Sequence, residues 1–362
     1  MLTLYQFSQK VRSIPTSTVS YIADLAESRG KQELFTRQSP QRLKALREHA
    51  LIESAVSSNR IEGVTIDEKR VATVIFGRPA LRDRDEEEIR GYRDALDLIH
   101  RQGKTLSVSE QTIQRFHRLC RGNLWDAGIY KEKDGDIIEK YANGRSRVRF
   151  RTVTARETPG AMAVLVDLWN RCLREEWVHP LIALAAFNLD FLCIHPFRDG
   201  NGRVSRLLLL LQCYHLGYEV GRYISLERLI EESKERYYET LEQSSVWWHE
   251  GKNDAWPYIN YVLYTVKNAY REFEARLGDT KSPRGAKTEL IIAAINRCAD
   301  QFTLSDLERV TPGISRDMLR KVLKDLQRDR RIECLGRGPG APWRKRVIKK
   351  KEGKREGNRD FG

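Results

Sequence analysis

The feature that most constrains this fold is a pair of strongly apolar segments joined by a short polar loop, within residues 181–216 (LIALAAFNLDFLCIHPFRDGNGRVSRLLLLLQCYHL). Both ends have the apolar content of buried helices, whereas the middle is polar and charged. Pro196 biases His195 away from helical geometry, so the first helix is predicted to end there with the imidazole at its C-terminal end. The sequence therefore predicts two core helices whose junction carries polar chemistry.

The junction is predicted to bind an anion. Gly200, Asn201 and Gly202 form a turn whose two glycines permit backbone angles closed to other residues and let the main chain approach a ligand. The second helix begins here, and its unpaired N–H groups form an anion site. Arg203 and Arg206 lie near its first turn, where the positive helix end disfavours cations unless an anion is present. Their three-residue spacing suits them to bind a di- or triphosphate.

Asp199 precedes this turn and is an acidic residue among phosphate-binding groups, so it is predicted to hold a Mg²⁺ ion that bridges phosphate oxygens. A histidine before a proline is usually a structural residue when it stands alone. The neighbouring acidic, amide and guanidinium groups instead favour a catalytic role for His195. The other six histidines have no comparable neighbours and are interpreted as structural or surface residues.

The string HPFRDGNGRVSR resembles the signature of the Fic family at eight specified positions of twelve. The resemblance covers roughly residues 40–260 and implies a protein adenylyltransferase with ATP as co-substrate. Such an enzyme transfers AMP to a Ser, Thr or Tyr hydroxyl of a target protein, self-modification included, and releases pyrophosphate. The resemblance implies that His195 is the catalytic base, that Asp199 binds Mg²⁺, and that Phe197 anchors the loop. It assigns phosphate binding to Gly200, Asn201, Gly202, Arg203 and Arg206.

Weaker matches to the family concern the adenine base of ATP and the binding of the target protein. Tyr237 occupies the place of a tyrosine that lies beside adenine in related proteins, which implies an ATP-binding role. The alternative is that Tyr237 and Tyr238 are ordinary core aromatic residues. Ser245 stands where several relatives have an asparagine, so nucleotide selectivity does not follow from the resemblance. Turn residues and alternating apolar positions predict a β-hairpin near 128–154. It resembles the flap on which Fic enzymes bind an extended target segment by strand addition, although its sequence departs from the common pattern.

The segment SNRIEG is similar to an inhibitory motif found in many Fic proteins. Its four-residue spacing places Ser58 and Glu62 on one helix face, and Gly63 suits a left-handed helix cap. The resemblance implies that Glu62 pairs with Arg206 and blocks productive ATP binding. The alternative is an ordinary solvated glutamate at a helix end.

The predicted fold class is mainly α: a helical Fic fold with a β-hairpin flap and a small C-terminal winged helix-turn-helix domain. The organisation is predicted as an N-terminal helical region at 1–105 with SNRIEG, a catalytic core at 106–277, a linker at 278–286, a winged-helix-like domain at 287–348 and a basic disordered tail at 349–362.

The positive charge is concentrated at the C-terminal end. Residues 281–362 hold 22 Lys and Arg against 11 Asp and Glu, a net +11 of the +14 of the whole chain. Such an excess is typical either of a nucleic-acid contact or of a solubilising tail. A DNA-binding regulator with a Fic core that senses a ligand is therefore one alternative, and removal of AMP or transfer of another phosphate-containing group is another.

Other features of the sequence argue against several classes of protein. No stretch approaches the ~18 apolar residues of a membrane span, and the N-terminus lacks the features of a signal peptide, so a cytoplasmic protein without membrane contact is expected. The six cysteines are widely spaced without a CxxC pair, which argues against a zinc site and a disulfide framework. Homo-oligomerisation and the identity of the target protein are left open.

Overall fold

The computed structural model divides the chain into two compact units, Met1–Thr280 and Lys281–Gly362. It describes residues 2–9, 13–36, 40–77, 80–140, 146–278, 300–311, 314–336, 338 and 340–346, with isolated positions at 288, 291, 292, 294, 295 and 298. Most of the predicted linker, residues 279–286, lies outside the described residues. So do the predicted tail and several positions between 287 and 299 at the start of the predicted winged-helix-like domain.

The first unit is mostly helical. Its helices are α1 (Thr3–Gln9), α2 (Thr16–Thr36), α3 (Pro40–Ile61), α4 (Glu68–Phe76), α5 (Arg84–Gln102), α6 (Glu110–Arg121), α7 (Thr158–Glu175), α8 (Pro180–Ile194), α9 (Asn201–His215), α10 (Leu226–Glu232), α11 (Lys234–Ser245) and α12 (Trp256–Gly278), with a 3₁₀ turn at Val220–Arg222. The helix starts follow capping chemistry: Asp83 caps α5 and Ser109 caps α6, each accepting a backbone N–H of the first turn. The predicted mainly helical fold is confirmed.

Helix α8 is the centre of this unit. Its residues are apolar on all sides and are buried from Leu181 to Ile194, as expected of a helix surrounded by others. Helices α1, α7, α9 and α12 pack against it. Because α9 packs against α3, α5, α6 and α8, its N-terminal end is surrounded by helices from the first part of the chain.

Asp190 is a polar exception within α8. Its carboxylate accepts the backbone N–H groups of Thr3 at 2.8 Å and Leu4 at 3.0 Å, and the indole N–H of Trp248 at 2.7 Å. Burial raises the pKa of Asp190 to about 6, although the three hydrogen bonds oppose this shift. The carboxylate therefore attaches the start of α1 to the core helix.

The predicted hairpin is present but shorter than 128–154. Strands β1 (Asp136–Lys140) and β2 (Ser146–Arg151) are antiparallel, and Asp136 pairs with Arg151 at the open end. Phe150 is half-buried and contacts Trp248 and His249, which fixes one face of the hairpin to the helical core. Residues 141–145, which connect the two strands and include Asn143 and Gly144, lie outside the described residues.

The second unit contains β3 (Gln301–Phe302), α13 (Leu304–Val310), α14 (Arg316–Arg328), β4 (Ile332–Cys334) and β5 (Trp343–Lys345). The strands form an antiparallel sheet in the order β3-β5-β4. Helix α13 begins with a capping box between Thr303 and Asp306. The winged-helix assignment of this unit remains a prediction.

We expect Asp190→Ala to lower the free energy of unfolding by about 2–4 kcal/mol, because the substitution leaves three buried N–H donors without an acceptor. Urea denaturation measures this effect. The matched control is Asp254→Ala, in which an exposed carboxylate accepts the N–H of Trp256 and the expected loss is about 1 kcal/mol. Equal losses in the two variants would contradict the role assigned to Asp190.

Candidate active site

His195 lies where the sequence predicts it, at the end of a core helix. Helix α8 stops at Ile194, and His195 adopts a left-handed conformation with φ of 53°, a strained geometry for a residue other than glycine. Its backbone N–H still donates to Phe191 O at 2.9 Å. The backbone strain turns the chain sharply out of α8 and into the signature loop, residues 195–200.

The imidazole of His195 is poised to accept a proton. Nδ1 lies 3.3 Å from the carbonyl oxygen of Leu192, so a proton on Nδ1 donates to that oxygen and leaves the Nε2 lone pair free. Burial lowers the pKa of His195 to about 4, and the charge of Lys131 acts in the same direction. The ring is therefore neutral near pH 7, as a general base must be.

Hydrogen bonds between Phe197 and Asn201 stabilise the signature loop. The buried side chain of Asn201 accepts the N–H of Phe197 at 2.9 Å and donates to its carbonyl at 2.7 Å. Phe197 is 1% exposed and stacks on His117 with ring centroids 3.8 Å apart. Asn201, predicted to line the phosphate site, thus uses its side-chain amide to hold the loop closed.

His117 lies on α6 and supports the signature loop. The sequence alone predicts no more for it than a structural or surface role. Its Nδ1 accepts the N–H of Gly128 at 2.8 Å, and its Nε2 lies 3.0 Å from the backbone oxygen of Asp199. The first contact places the ring proton on Nε2, which then donates to Asp199 O. Burial lowers the pKa of His117 to about 4, which favours this neutral form.

Lys131 holds the other end of the loop. Its backbone N–H donates to Pro196 O at 2.8 Å, and its Nζ donates to Ile194 O at 3.1 Å and to Thr152 Oγ1 at 2.7 Å. Burial lowers the pKa of this lysine to about 8. Because Thr152 follows β2, Lys131 connects the hairpin to the backbone on both sides of His195.

The start of α9 provides the close backbone approach that an anion site needs. Gly200 has φ of 80° and lies at the N-terminal boundary of the helix. A Cβ atom added at Gly202 would lie 2.2 Å from Glu62 Oε1 and 3.2 Å from Arg206 Nη1. The space beside Gly202 is therefore bordered by one carboxylate and one guanidinium.

Arg206 is buried and is held by the predicted inhibitory segment. Its Nη2 donates to Glu62 Oε1 at 2.7 Å and to Ser58 O at 2.9 Å, and its Nε donates to Ser58 Oγ at 2.9 Å. Burial opposes the charge, but Glu62 keeps the pKa of Arg206 above its usual value. Within the described part of the chain, Nη1 of Arg206 is buried without a hydrogen-bond partner.

Arg203 does not share that environment. Its side chain is 2% exposed, and its Nη1 donates to Glu88 Oε2 at 2.5 Å and to Asn59 Oδ1 at 3.3 Å. Arg203 and Arg206 thus contact carboxylates from different helices, α5 for Arg203 and the end of α3 for Arg206. Arg203 is engaged within the protein and offers less to a phosphate than the spacing suggests.

Asp199 is the most exposed member of the site, with 52% of its side chain accessible. Although burial alone raises its pKa, Arg203 and Arg121 hold the pKa of the carboxyl below its usual value. Mg²⁺ is commonly bound through one or two carboxylates together with phosphate oxygens and water. A single accessible carboxylate beside an anion site fits that pattern, and the described residues contain no group of three or more His, Cys, Asp or Glu that could hold a metal.

Tyr237 lies in an aromatic cluster and is only 3% exposed. Its ring centroid is 5.1 Å from that of Tyr238 and 5.7 Å from that of Tyr261, and burial raises its pKa to about 12. Tyr238 is half-buried and lies 5.2 Å below the guanidinium of Arg149 on the hairpin. Tyr238 therefore connects α11 with the hairpin.

Residues 107–213, from three residues before α6 to the last turn of α9, match the model of the Fic/DOC family. The chain therefore carries a Fic/DOC domain, and the resemblance inferred from HPFRDGNGRVSR is confirmed. The protein adenylyltransferase Fic of Drosophila erecta is 40% identical over 63 residues, 17% of this chain and 13% of that protein. That of Drosophila persimilis is 25% identical over 190 residues, 50% of this chain and 35% of that protein. The matches thus span about a third or less of these relatives.

Solved structures share the fold. A Fic family protein from Desulfovibrio desulfuricans G20 aligns with a TM-score of 0.60 and 24% identity over 95% of this chain and 100% of that one. A Fic domain-containing signalling protein from Bacteroides thetaiotaomicron aligns with a TM-score of 0.59 and 24% identity over 71% of this chain and 98% of that one. Among the described helices, none is long and apolar enough to span a membrane.

The two signature arginines should differ when each is replaced by methionine. Arg203→Met leaves Glu88 buried without its closest cation, so we expect the free energy of unfolding to fall by about 3–5 kcal/mol. Arg206→Met frees Glu62, which is 29% exposed and can turn to water, so the expected loss is about 1–3 kcal/mol. Urea denaturation without nucleotide compares them, and a larger loss in Arg206→Met would contradict this assignment.

Proposed function

We propose that this chain is a protein adenylyltransferase, which transfers AMP from ATP to a hydroxyl side chain of a target protein and is inhibited by Glu62. One observation carries the proposal: a neutral His195 follows α8 beside a helix start where, among the described residues, the buried Arg206 has one guanidinium nitrogen without a hydrogen-bond partner. A base next to an unsatisfied cationic anion site suits transfer of a phosphate-containing group. The name protein adenylyltransferase, carried by the Drosophila relatives, supports the same activity.

In this reaction His195 Nε2 accepts the proton of the target hydroxyl. The hydroxyl oxygen attacks the α-phosphorus of ATP and forms a new P–O bond. The bond between that phosphorus and the oxygen bridging to the β-phosphate breaks, and pyrophosphate leaves. General base action of this kind contributes roughly 10²–10⁴-fold to a rate, so positioning and charge neutralisation by the rest of the site supply the remainder.

The phosphates would be bound by the N-terminal N–H groups of α9, by the close approach at Gly202 and by Nη1 of Arg206. Asp199 would hold Mg²⁺, which supplies charge neutralisation at the phosphate oxygens. We assign Arg203 an indirect role, because its guanidinium is paired with Glu88 inside the protein.

Glu62 is placed to oppose this binding. Its Oε1 contacts Arg206 and lies 2.2 Å from the position of a Cβ on Gly202, so the carboxylate occupies the space through which a phosphate would approach the helix start. A carboxylate and a phosphate cannot both occupy this space, and both are anionic. Productive binding of ATP therefore requires Glu62 to turn away from Arg206.

The target would bind along the hairpin. In the described part of the chain β1 pairs only with β2, so the other edge of β1 retains backbone groups that can accept an extended segment. We propose a protein substrate with a Ser, Thr or Tyr hydroxyl, this chain included. Label on the α-phosphate of ATP distinguishes AMP transfer from phosphoryl transfer, which carries label from the γ-phosphate.

We expect His195→Ala to abolish AMP transfer and to leave ATP binding within about threefold of the wild type, because the base contacts the attacking hydroxyl rather than the phosphates. Incorporation of α-labelled ATP into a cell lysate measures transfer, and calorimetric titration measures binding. Comparable transfer by the two proteins would remove His195 from the mechanism.

We expect Glu62→Gly to raise AMP transfer, self-modification included, by roughly tenfold to hundredfold. A partly desolvated ion pair biases such an equilibrium by ~1–3 kcal/mol, and each ~1.4 kcal/mol is a factor of ten in the competent population. Label incorporation is compared for the wild type, Glu62→Gly and Glu62→Gly with His195→Ala.

The matched control is Arg60→Gly, which alters the same helix end at an exposed residue and should leave the rate unchanged. Activation that depends on His195 and is absent in the control supports inhibition by Glu62. Equal labelling of Glu62→Gly and the wild type would reduce SNRIEG to an ordinary helix end.

A further inference from the structure

The carboxylate of Asp199 is surrounded by arginines. Its Oδ2 lies 2.6 Å from Arg121 Nη1 and 3.5 Å from Arg84 Nη2, and its Oδ1 lies 3.8 Å from Arg203 Nη2. Oδ1 also accepts the backbone N–H of Gly200 at 2.6 Å. Both oxygens that could bind a cation are therefore already engaged with donors from the protein.

Arg121 is the closest of these arginines and is held rigidly in place. Its side chain is only 7% exposed and contacts Asp126 through Nη2 at 3.1 Å and Glu88 through Nη1 at 3.4 Å. Two buried carboxylates thus fix the guanidinium from behind while Nη1 points at Asp199. Arg121 cannot swing into solvent without breaking its ion pair with the buried Asp126.

The charges of this group are balanced without a metal ion. Three carboxylates and three guanidiniums contact one another, and Glu88 touches all three arginines. The members are Glu88, Asp126, Asp199, Arg84, Arg121 and Arg203. A divalent cation at Asp199 would add two positive charges to a neutral group and would meet Arg121 at the same oxygen.

We propose that Arg121 competes with a divalent cation for the carboxylate of Asp199, so that the metal site stays closed in the nucleotide-free protein. This inference rests on the proposed function, which assigns metal binding to Asp199. It adds a second contact of the resting state, separate from that of Glu62 with Arg206. The negative phosphates of a nucleotide offset the added charge, so cation and nucleotide are expected to bind cooperatively.

The test is a titration of the nucleotide-free, full-length protein with Mn²⁺, with free Mn²⁺ followed by electron paramagnetic resonance. We expect Arg121→Gln to lower the Kd for Mn²⁺ at least about tenfold, because the variant removes a competing donor and a repelling charge. Arg84→Gln, at a residue with 54% side-chain exposure, keeps every buried contact of Arg121 and should lower the Kd by a smaller factor. A structural loss could instead expose Asp126 or Glu88 to the cation, so the gain must also depend on Asp199.

Two further proteins locate the effect. Arg115→Gln removes the same charge from an exposed position on α6 and should leave the Kd unchanged. Arg121→Gln combined with Asp199→Asn should lose the gain, which shows that the cation binds at Asp199 rather than at Asp126. An unchanged or higher Kd in both Arg121→Gln and Arg84→Gln overturns the proposal, as does a gain that survives Asp199→Asn.

The outcome is separable from that of the proposed function. Tighter Mn²⁺ binding at Asp199 without label transfer by any variant would sink the adenylyltransferase assignment and leave the competition by Arg121 standing. Label transfer that depends on His195, together with unchanged Mn²⁺ binding, would retain the assignment and overturn the competition.

Discussion

The guanidinium of Arg206 is buried at the N-terminal end of α9, where the helix dipole disfavours a cation, and it remains there because Ser58 and Glu62 accept three of its hydrogen bonds. Burial of a charge without such partners would cost several kcal/mol. The end of α3 must therefore lie against the start of α9 whenever the site holds no other anion. The contact between Glu62 and Arg206 is thus part of the folded domain.

Arg203 imposes a second constraint of the same kind one turn earlier. Its partner Glu88 belongs to α5, and the pair is almost inaccessible to water. Breaking this pair would leave a buried charge without its closest partner, whereas Glu62 is 29% exposed and can turn to water when it leaves Arg206. Two arginines with equivalent places in the signature thus have different physical roles.

The signature loop and its two helices could be predicted from sequence because the information is local. Pro196 ends a helix, glycines allow the turn, and continuous apolar residues mark the core. The pairing of Glu62 with Arg206 could be predicted only from the family resemblance, because a local sequence pattern cannot pair residues 144 positions apart.

The supporting residues could not be predicted in this way. Arg121 looks like one more basic residue near the end of an amphipathic helix, and His117 like a core histidine, until the fold brings α6 under the loop. Tyr237 illustrates the opposite case: the resemblance assigns it to the nucleotide, while the structure buries it among other tyrosines. The roles of these residues depend on contacts between helices that are distant in sequence. The periodicity of apolar residues along one helix does not predict such contacts.

The position of the family match bears on how the charges of the two signature arginines are balanced. The match begins at residue 107, yet Glu62 and Glu88, the acidic partners of Arg206 and Arg203, both precede it. The signature loop lies inside the match, as do His117 and Lys131, which hold its backbone in place. The carboxylates that balance the charges of the two arginines come instead from α5 and from the end of α3. A chain with the same signature but a different N-terminal region would therefore lack these two carboxylates. It would keep the base and the helix start, whereas its two arginines would be accessible to phosphates or would pair with other anions.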